Sequence, residues 1–435
     1  MRTTFVDWLT EAVADELDRS PRHVDAPAAG RFASGQGAAK MIGAGGPRRD
    51  LGLAQTIAGQ LVDEALRSGR LMASEALSEE TLSGGNTAER VGLLGLRLPF
   101  VFKMDSNTSK LAAEGAMIRQ IRGDLRLPAA FREAWPVVYA LRSEAPFAYL
   151  MEYFPKDDGW VSLEDRLYPK PKDAGAPLER HEALGLMFRV LDLLFSGYDA
   201  SVDPRAMPNV STDYLDRIAG RLADVAKRDP IYRPRPVRVG ERVFEPWATS
   251  LRRIASRPDV ILTATPPFRT VVHGDPNPGN LLLRTTVGTI DIKLIDPKEW
   301  GAGDYLFDVA KITHFLSGTG PIEKPPTGRP CIPRLQEEDD LLVVDYEIDR
   351  PAWTDDLVSA CLGRTERFAA THGDRAWKAR YALAMASNLL GLPIGRLTHS
   401  KNPRPDAAMV LYCEGLRWLD DACSLLGLKG EGEPP

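Results

Sequence analysis

Residues Val271 to Pro297, VVHGDPNPGNLLLRTTVGTIDIKLIDP, constrain the fold more than any other stretch of the chain. Apolar residues fill Val271 and Val272, Leu281 to Leu283, and Ile290, Ile292, Leu294 and Ile295. Between them stand His273, Asp275, Asn277, Asn280 and Asp296, in segments broken by Pro276, Pro278 and Gly279. That alternation predicts strand, tight polar loop, strand, turn, strand and acidic loop. Short strands that carry polar side chains at their ends make a rigid frame for chemistry.

A frame of this size needs a core beneath it, and the composition can supply one. The chain has 435 residues, 43% hydrophobic and 26% charged, ordinary globular values. At 47.8 kDa it is long enough that two lobes or domains are the natural expectation. A net charge of -5 argues against a general nucleic-acid binder. The four cysteines, Cys331, Cys361, Cys413 and Cys423, have no metal-like spacing and read as buried thiols. Asp7, Glu11 and Asp15 interrupt the N-terminus, so it lacks the apolar core of a signal peptide. No run approaches the ~18 apolar residues of a membrane span. A cytoplasmic protein with no membrane partner is expected.

Along the chain, Phe5, Leu9, Val13 and Leu17 recur at helical spacing, and an Ala-, Gly- and Pro-rich stretch follows from His23 to Asp50. GAGG at Gly43 to Gly46 has no preceding strand and no following GK[ST], so it reads as connector. After a helical pattern over Leu53 to Leu71 come three strands, about Ala76 to Ser83, Ala88 to Leu94 and Leu98 to Met104. Gly84 and Gly85 form the turn between the first two, and Lys103 lies inside the third. Thr108 to Leu125 is helical and contains Glu114. Pro136 to Leu141 and Phe147 to Phe154 complete a group of five strands.

Beyond Ser162 the pattern turns helical. Helices are predicted over His181 to Phe195, Thr212 to Lys227, Asp304 to Leu316, Asp355 to Thr371, Arg375 to Leu390 and Pro405 to Leu425. Pro230 to Pro246 reads as a basic loop or irregular strand, Pro321 to Pro333 as a loop, and Leu341 to Asp349 as a strand. The fold class is therefore α+β, a small β-rich lobe followed by a mainly helical one.

Phosphoryl transfer needs a cation on the phosphates, oxygen ligands for Mg²⁺, and a base that orients the attacking hydroxyl. Asp275 and Asn280 share one loop, and a short hairpin would bring Asp296 beside Asn280. These supply the magnesium ligands and the base. Lys103 would supply the phosphate clamp if Glu114 of the next helix held it extended.

The order glycine turn, strand lysine, helix glutamate, HGDPNPGN, IDP and GDYLFDVAK resembles the aminoglycoside phosphotransferase and choline kinase family over roughly Leu53 to Leu425. That resemblance implies a bilobal protein-kinase-like fold, with a small five-stranded antiparallel N-lobe and a mainly helical C-lobe. With the N-terminal helix and flexible linker read above (1–50), the chain is expected to divide into a nucleotide-binding N-lobe (51–154) and a C-lobe carrying the catalytic loop and acceptor-binding helices (155–435). Asp275 would orient the acceptor, with Asn280 and Asp296 on Mg²⁺. Lys103 would meet the nucleotide phosphates, with Glu114 as its partner and Gly84 and Gly85 as a reduced nucleotide loop. Glu152 and Phe154 would lie in the hinge against the purine. The implied activity is that of a small-molecule kinase using ATP or GTP on a sugar, aminosugar or aminoglycoside-like hydroxyl. The alternatives are a nucleotide-binding pseudokinase or scaffold, and a protein kinase.

A second HGD, His372 to Asp374, lacks an asparagine five residues on, where Ala379 stands, and reads as a helix-to-helix turn. His273 is expected to orient its loop, since this chemistry needs no histidine. Asp304 and Asp308 are expected to brace the start of their helix and the catalytic loop. The acidic run Glu337 to Asp340 reads as a solvated face, with attraction of a cationic acceptor as the competing reading.

Overall fold

A computed structural model describes residues 77–82, 91–96, 100–105, 109–145, 147–169, 178–286, 289–298, 300–400 and 402–428. The expected helices near Phe5 and over Leu53 to Leu71, the linker, and the Gly84-Gly85 turn lie outside those residues. The described chain divides into two compact units. One takes in described residues up to Arg119 together with Val137–Tyr153, and the other takes in Gln120–Pro136 and described residues from Phe154 onward.

In the first unit, β1 (Leu77–Leu82) and β2 (Val91–Leu96) form an antiparallel pair, Leu77 opposite Leu96. β3 (Phe100–Asp105), β4 (Val138–Arg142) and β5 (Phe147–Glu152) form a separate antiparallel sheet in the order β3-β5-β4. A single five-stranded sheet is not formed among the described residues. Five strands are present, but among the described residues their ladders divide into two and three. Helix α1 (Lys110–Gly123) lies on the three-stranded sheet through Gly115, where a Cβ would stand 2.8 Å from Leu141. A glycine in a helix interior costs about 1 kcal/mol, and the close approach explains its presence here.

The second unit is mainly helical. Its short elements are α2 (Ala129–Ala134), β6 (Val161–Ser162) and α3 (Leu163–Leu167). Then come α4 (Arg180–Ala200), a π-helical turn Ser211–Asp216 and α5 (Arg217–Arg228). The basic stretch expected to be loop or irregular strand contains β7 (Val237–Val239) and β8 (Arg242–Phe244), followed by α6 (Trp247–Ala255) and α7 (Pro258–Ala264). The opening motif folds as β9 (Thr270–Val271), a 3₁₀ turn Pro278–Asn280, β10 (Leu281–Thr286) and β11 (Thr289–Leu294). β12 (Ala302–Gly303) pairs with β9, and α8 (Tyr305–His314) follows. The proline-rich stretch expected to be loop opens with a short helix, α9 (Gly320–Glu323), before the hairpin β13 (Arg334–Glu338) and β14 (Leu341–Asp345). Helices α10 (Thr354–Thr371), α11 (Trp377–Leu390), α12 (Pro393–Thr398) and α13 (Pro405–Leu425) complete it.

Helix α11 is the centre of this unit. Every residue from Ala379 to Leu390 is buried, because the helix packs on α13 and on α8. A helix apolar all round belongs in a core. Its one buried cation, Arg380, donates to Asp304 at 2.5 Å and to Asp374 at 3.1 Å. The second HGD therefore ends in a structural aspartate. It lies in the turn between α10 and α11 and shares Arg380 with the residue that caps α8. Among the described residues no helix is long and apolar enough to cross a membrane.

The acidic run sits at the β13–β14 turn and faces arginines of the basic stretch. Asp340 pairs with Arg233 at 3.1 Å, Glu337 with Arg235 at 3.0 Å and Glu338 with Arg238 at 3.0 Å. Parallel pairing of β14 with β7 fixes that register. Three of its four carboxylates are thus matched by cations of the same chain.

Candidate active site

The catalytic-loop motif is built by the short strand β9 and the β10–β11 hairpin. Leu281 opposes Leu294 in that hairpin, and just beyond it the Ile295 N–H donates to the Asn280 carbonyl at 3.0 Å. Asn280 and the residue before Asp296 are thereby joined through their backbones. Asn277 caps the 3₁₀ turn by accepting from the Gly279 N–H at 3.1 Å. The Asn280 amide donates to the Asp275 carbonyl at 2.9 Å, which assigns its nitrogen and directs its oxygen elsewhere.

Asp308 ties the loop to the core. Its buried carboxylate accepts the His273 N–H at 2.8 Å, the Gly274 N–H at 2.7 Å and the Tyr198 hydroxyl at 3.0 Å. Burial pushes this carboxyl up to about 7, against the lowering effect of those three donors. Gly274 turns with φ 77°, and a Cβ there would lie 2.7 Å from Cβ of Lys298, so the turn requires glycine.

His273 is buried and stacks on Trp135, just after α2, ring centroids 5.4 Å apart. Its Nδ1 accepts the Asp275 N–H at 3.2 Å, which puts the proton of the neutral ring on Nε2. Burial pushes the ring down to about 4 despite the nearby Asp275 charge, so it is neutral at physiological pH.

Asp275 does not stand as an isolated carboxylate. Lys311 Nζ lies 3.2 Å from one oxygen and Lys298 Nζ 3.4 Å from the other. Burial works to raise its pKa, but Lys311 and then Lys298 outweigh burial and hold it below the usual carboxylate range. A carboxylate so held is a poor proton store and a good hydrogen-bond acceptor. Lys311 itself is pushed down by burial, opposed by Asp275.

Asn280 and Asp296 offer oxygen donors without thiolate or imidazole, a set that suits Mg²⁺ and leaves positions to phosphate and water. Asp296 has φ 55°, an uncommon conformation for a residue other than glycine and one that gathers at functional sites.

In the first unit Lys103 stands opposite Tyr149 in the β3–β5 ladder. Its ammonium lies 2.6 Å from Glu114 of α1, and the Tyr149 hydroxyl donates to the same carboxylate. The Glu152 side chain accepts the Val137 N–H at 3.1 Å, while its own N–H donates to the Val137 carbonyl at 2.9 Å. Phe154, the first residue of the second unit after β5, meets Trp160 edge-on at 5.2 Å.

The structure thus brings together His273, Asp275, Asn280 and Asp308 in one unit, with the Asp296 loop bonded alongside. It brings together Lys103 and Glu114 in the other. Sequence reasoning gave no role to Lys298, Lys311 and Arg217. A signal for Lys311 existed: Asp304, Asp308 and Lys311 are spaced i, i+4, i+7 on one face of α8.

A model of the phosphotransferase enzyme family, APH, matches residues 80–324. No curated protein matches the chain in sequence. Among solved structures the chain is similar to a glucosamine kinase, with 14% identity and a TM-score of 0.41 over 81% of this chain and 82% of that one. A putative aminoglycoside phosphotransferase from Ralstonia eutropha JMP134 also gives 14% identity and 0.41, over 83% and 98%. A choline kinase from Cryptosporidium parvum Iowa II gives 11% and 0.39, over 84% and 96%.

Proposed function

The chain belongs to the phosphotransferase enzyme family, and from that premise we propose that it is a small-molecule kinase. It transfers the γ-phosphate of ATP or GTP, with Mg²⁺, to a hydroxyl of a sugar, aminosugar or aminoglycoside-like acceptor. The observation that carries this reading is Asp275, held ionised on a loop fixed by Asp308 and joined through Asn280 to the loop of Asp296. Residues 51–154 serve as the nucleotide lobe and 155–435 as the lobe of the catalytic loop and acceptor.

In the reaction the Asp275 carboxylate accepts a hydrogen bond from the acceptor hydroxyl and aims its oxygen at the γ-phosphorus. The bond from that phosphorus to the β–γ bridging oxygen breaks as the new P–O bond forms. The hydroxyl proton passes to Asp275 and on to solvent, and the nucleoside diphosphate leaves. Because Lys311 and Lys298 keep Asp275 acidic, orientation outweighs early proton abstraction. Asn280 and Asp296 would hold the magnesium ion, which when bound neutralises charge on the phosphates. Lys103, steadied by Glu114, contacts the nucleotide phosphates. Glu152 and Phe154 are assigned to the segment that meets the purine, and the Glu152 N–H donates to the Val137 carbonyl.

Asp275→Asn tests the assignment. Phosphoryl transfer to panels of sugars, aminoglycosides and amino alcohols should fall by about 10²- to 10⁴-fold, with nucleotide affinity retained. Unchanged turnover would remove Asp275 from its role. Tight nucleotide binding by the native chain, with no transfer to any acceptor, would favour a nucleotide-binding scaffold instead.

A further inference from the structure

Three cations share the one carboxylate of Asp275. Lys311 and Lys298 touch it, and Arg217, at the start of α5, feels its charge. The Arg217 guanidinium lies 5.1 Å from the centre of the Phe307 ring, and Lys311 lies 5.8 Å from the same centre. Trp300 meets that ring edge-on at 5.1 Å and is itself 45% exposed. Among the described residues Arg217 has no ion pair, and its Nε is buried without a hydrogen-bond partner. Burial, and then repulsion from Arg221, push its pKa below the usual guanidinium value.

A partly buried charge without an ion pair is costly, and among the described residues named here three cations face the one carboxylate of Asp275. An anion placed among Arg217, Lys298 and Lys311 would relieve both the desolvation and the mutual repulsion. An exposed indole beside them offers a flat apolar surface of the kind on which a sugar ring packs. On the proposed kinase reading, the nucleotide phosphates are addressed by Lys103 and the magnesium ligands. Arg217 belongs instead to the segment between the hinge and the catalytic loop, on the acceptor's side of the reaction.

Resting on that reading, we propose that the acceptor is an anionic sugar, carrying a phosphate or carboxylate that Arg217 and Lys298, with Lys311, hold while its hydroxyl meets Asp275. Cationic acceptors of the aminoglycoside kind are disfavoured by the same charges. The reaction preceding this one in sequence would then be one that phosphorylates or oxidises the sugar.

A matched hexose series tests this on the full chain: glucose, glucosamine, glucuronate, glucose 1-phosphate and glucose 6-phosphate. Binding is measured without nucleotide by saturation-transfer NMR and calorimetry, and turnover with Mg²⁺ and nucleotide. At least one anionic member should bind about tenfold or more tightly than glucose, with glucosamine weaker than glucose. Comparing glucuronate with the two phosphates identifies which anion the site takes. Arg217→Gln should abolish the anionic advantage through KM more than kcat, and Arg217→Lys should restore part of it. Glucose or glucosamine binding as well as every anionic member would overturn the proposal. So would an anionic advantage that survives Arg217→Gln, or a uniform loss of kcat with all acceptors in that variant. Arg217-dependent binding of an anionic hexose without any transfer would sink the kinase reading and leave the anion site standing. Transfer to neutral hexoses without anionic preference would do the reverse.

Discussion

The ammonium of Lys311 lies 3.2 Å from the Asp275 carboxylate, although one group belongs to helix α8 and the other to the loop after β9. Burial alone would raise the carboxyl, and this cation is the largest influence opposing it. Lys311→Met should therefore let the Asp275 pKa climb, by about one unit or more. The acid limb of the kcat/KM profile should move to higher pH by that amount, and Lys311→Arg should keep it near its native position. A fall in rate with no movement of the limb would mean that Lys311 acts on a bound anion and not on Asp275.

Asp308 holds three donors that have no other described acceptor, the N–H groups of His273 and Gly274 and the Tyr198 hydroxyl. Asp308→Ala leaves them buried and unsatisfied, at roughly 3 kcal/mol or more of stability. Asp308→Asn keeps the shape but turns an amide NH₂ toward a backbone N–H, so it should also lose stability. Urea midpoints would show both losses, and kcat should fall with them because Asp275 follows directly in the same loop. A midpoint within error of the native chain would mean that water can replace this carboxylate.

Arg380 is fully buried between Asp304 and Asp374. Burial works against its charge, yet the two carboxylates more than compensate and hold it firmly protonated. Arg380→Met strands two buried carboxylates and should cost about 3–5 kcal/mol. Adding Asp374→Asn should recover part of that cost. Strict additivity in the urea-derived double-mutant cycle would show that the groups are not coupled.

Much of this was legible in the chain. Strand alternation and turn residues around Asp275 and Asn280 specify their own neighbourhood, because each hairpin contact is local. Lys103 and Glu114 were readable for a related reason: one strand and the next helix return the glutamate to the lysine within a few turns. What escaped was set by long-range contact. Arg217 approaches Phe307 only through the packing of α5 and α8, and no spacing in the sequence announces it. The acidic run at Glu337 is exposed, as a solvated face should be, but its arginine partners come from a stretch about a hundred residues earlier and no spacing announces them. The five strands were individually visible, but how their ladders divide depends on pairing that strand patterns alone do not encode.

His314 and His273 make the chain sensitive to acid. Burial, with Lys311 adding to it, pushes His314 down to about 3, and burial pushes His273 down to about 4, from an ordinary value of 6.5. Between 6.5 and those values the unfolded chain binds protons that the folded one refuses, so stability falls as pH falls. Asp308 works in the opposite sense: raised to about 7 from 3.8, it contributes stability that is lost as pH rises through that window. The native curve mixes the two, and a difference separates them. In His314→Leu one refusing imidazole is gone while His273 and Asp308 remain. The native-minus-variant free energy of unfolding should shrink from pH 6.5 toward pH 4, by up to ~1.4 kcal/mol per unit. Urea titrations at half-unit steps would measure it. A difference independent of pH would mean that the His314 ring takes up its proton without unfolding.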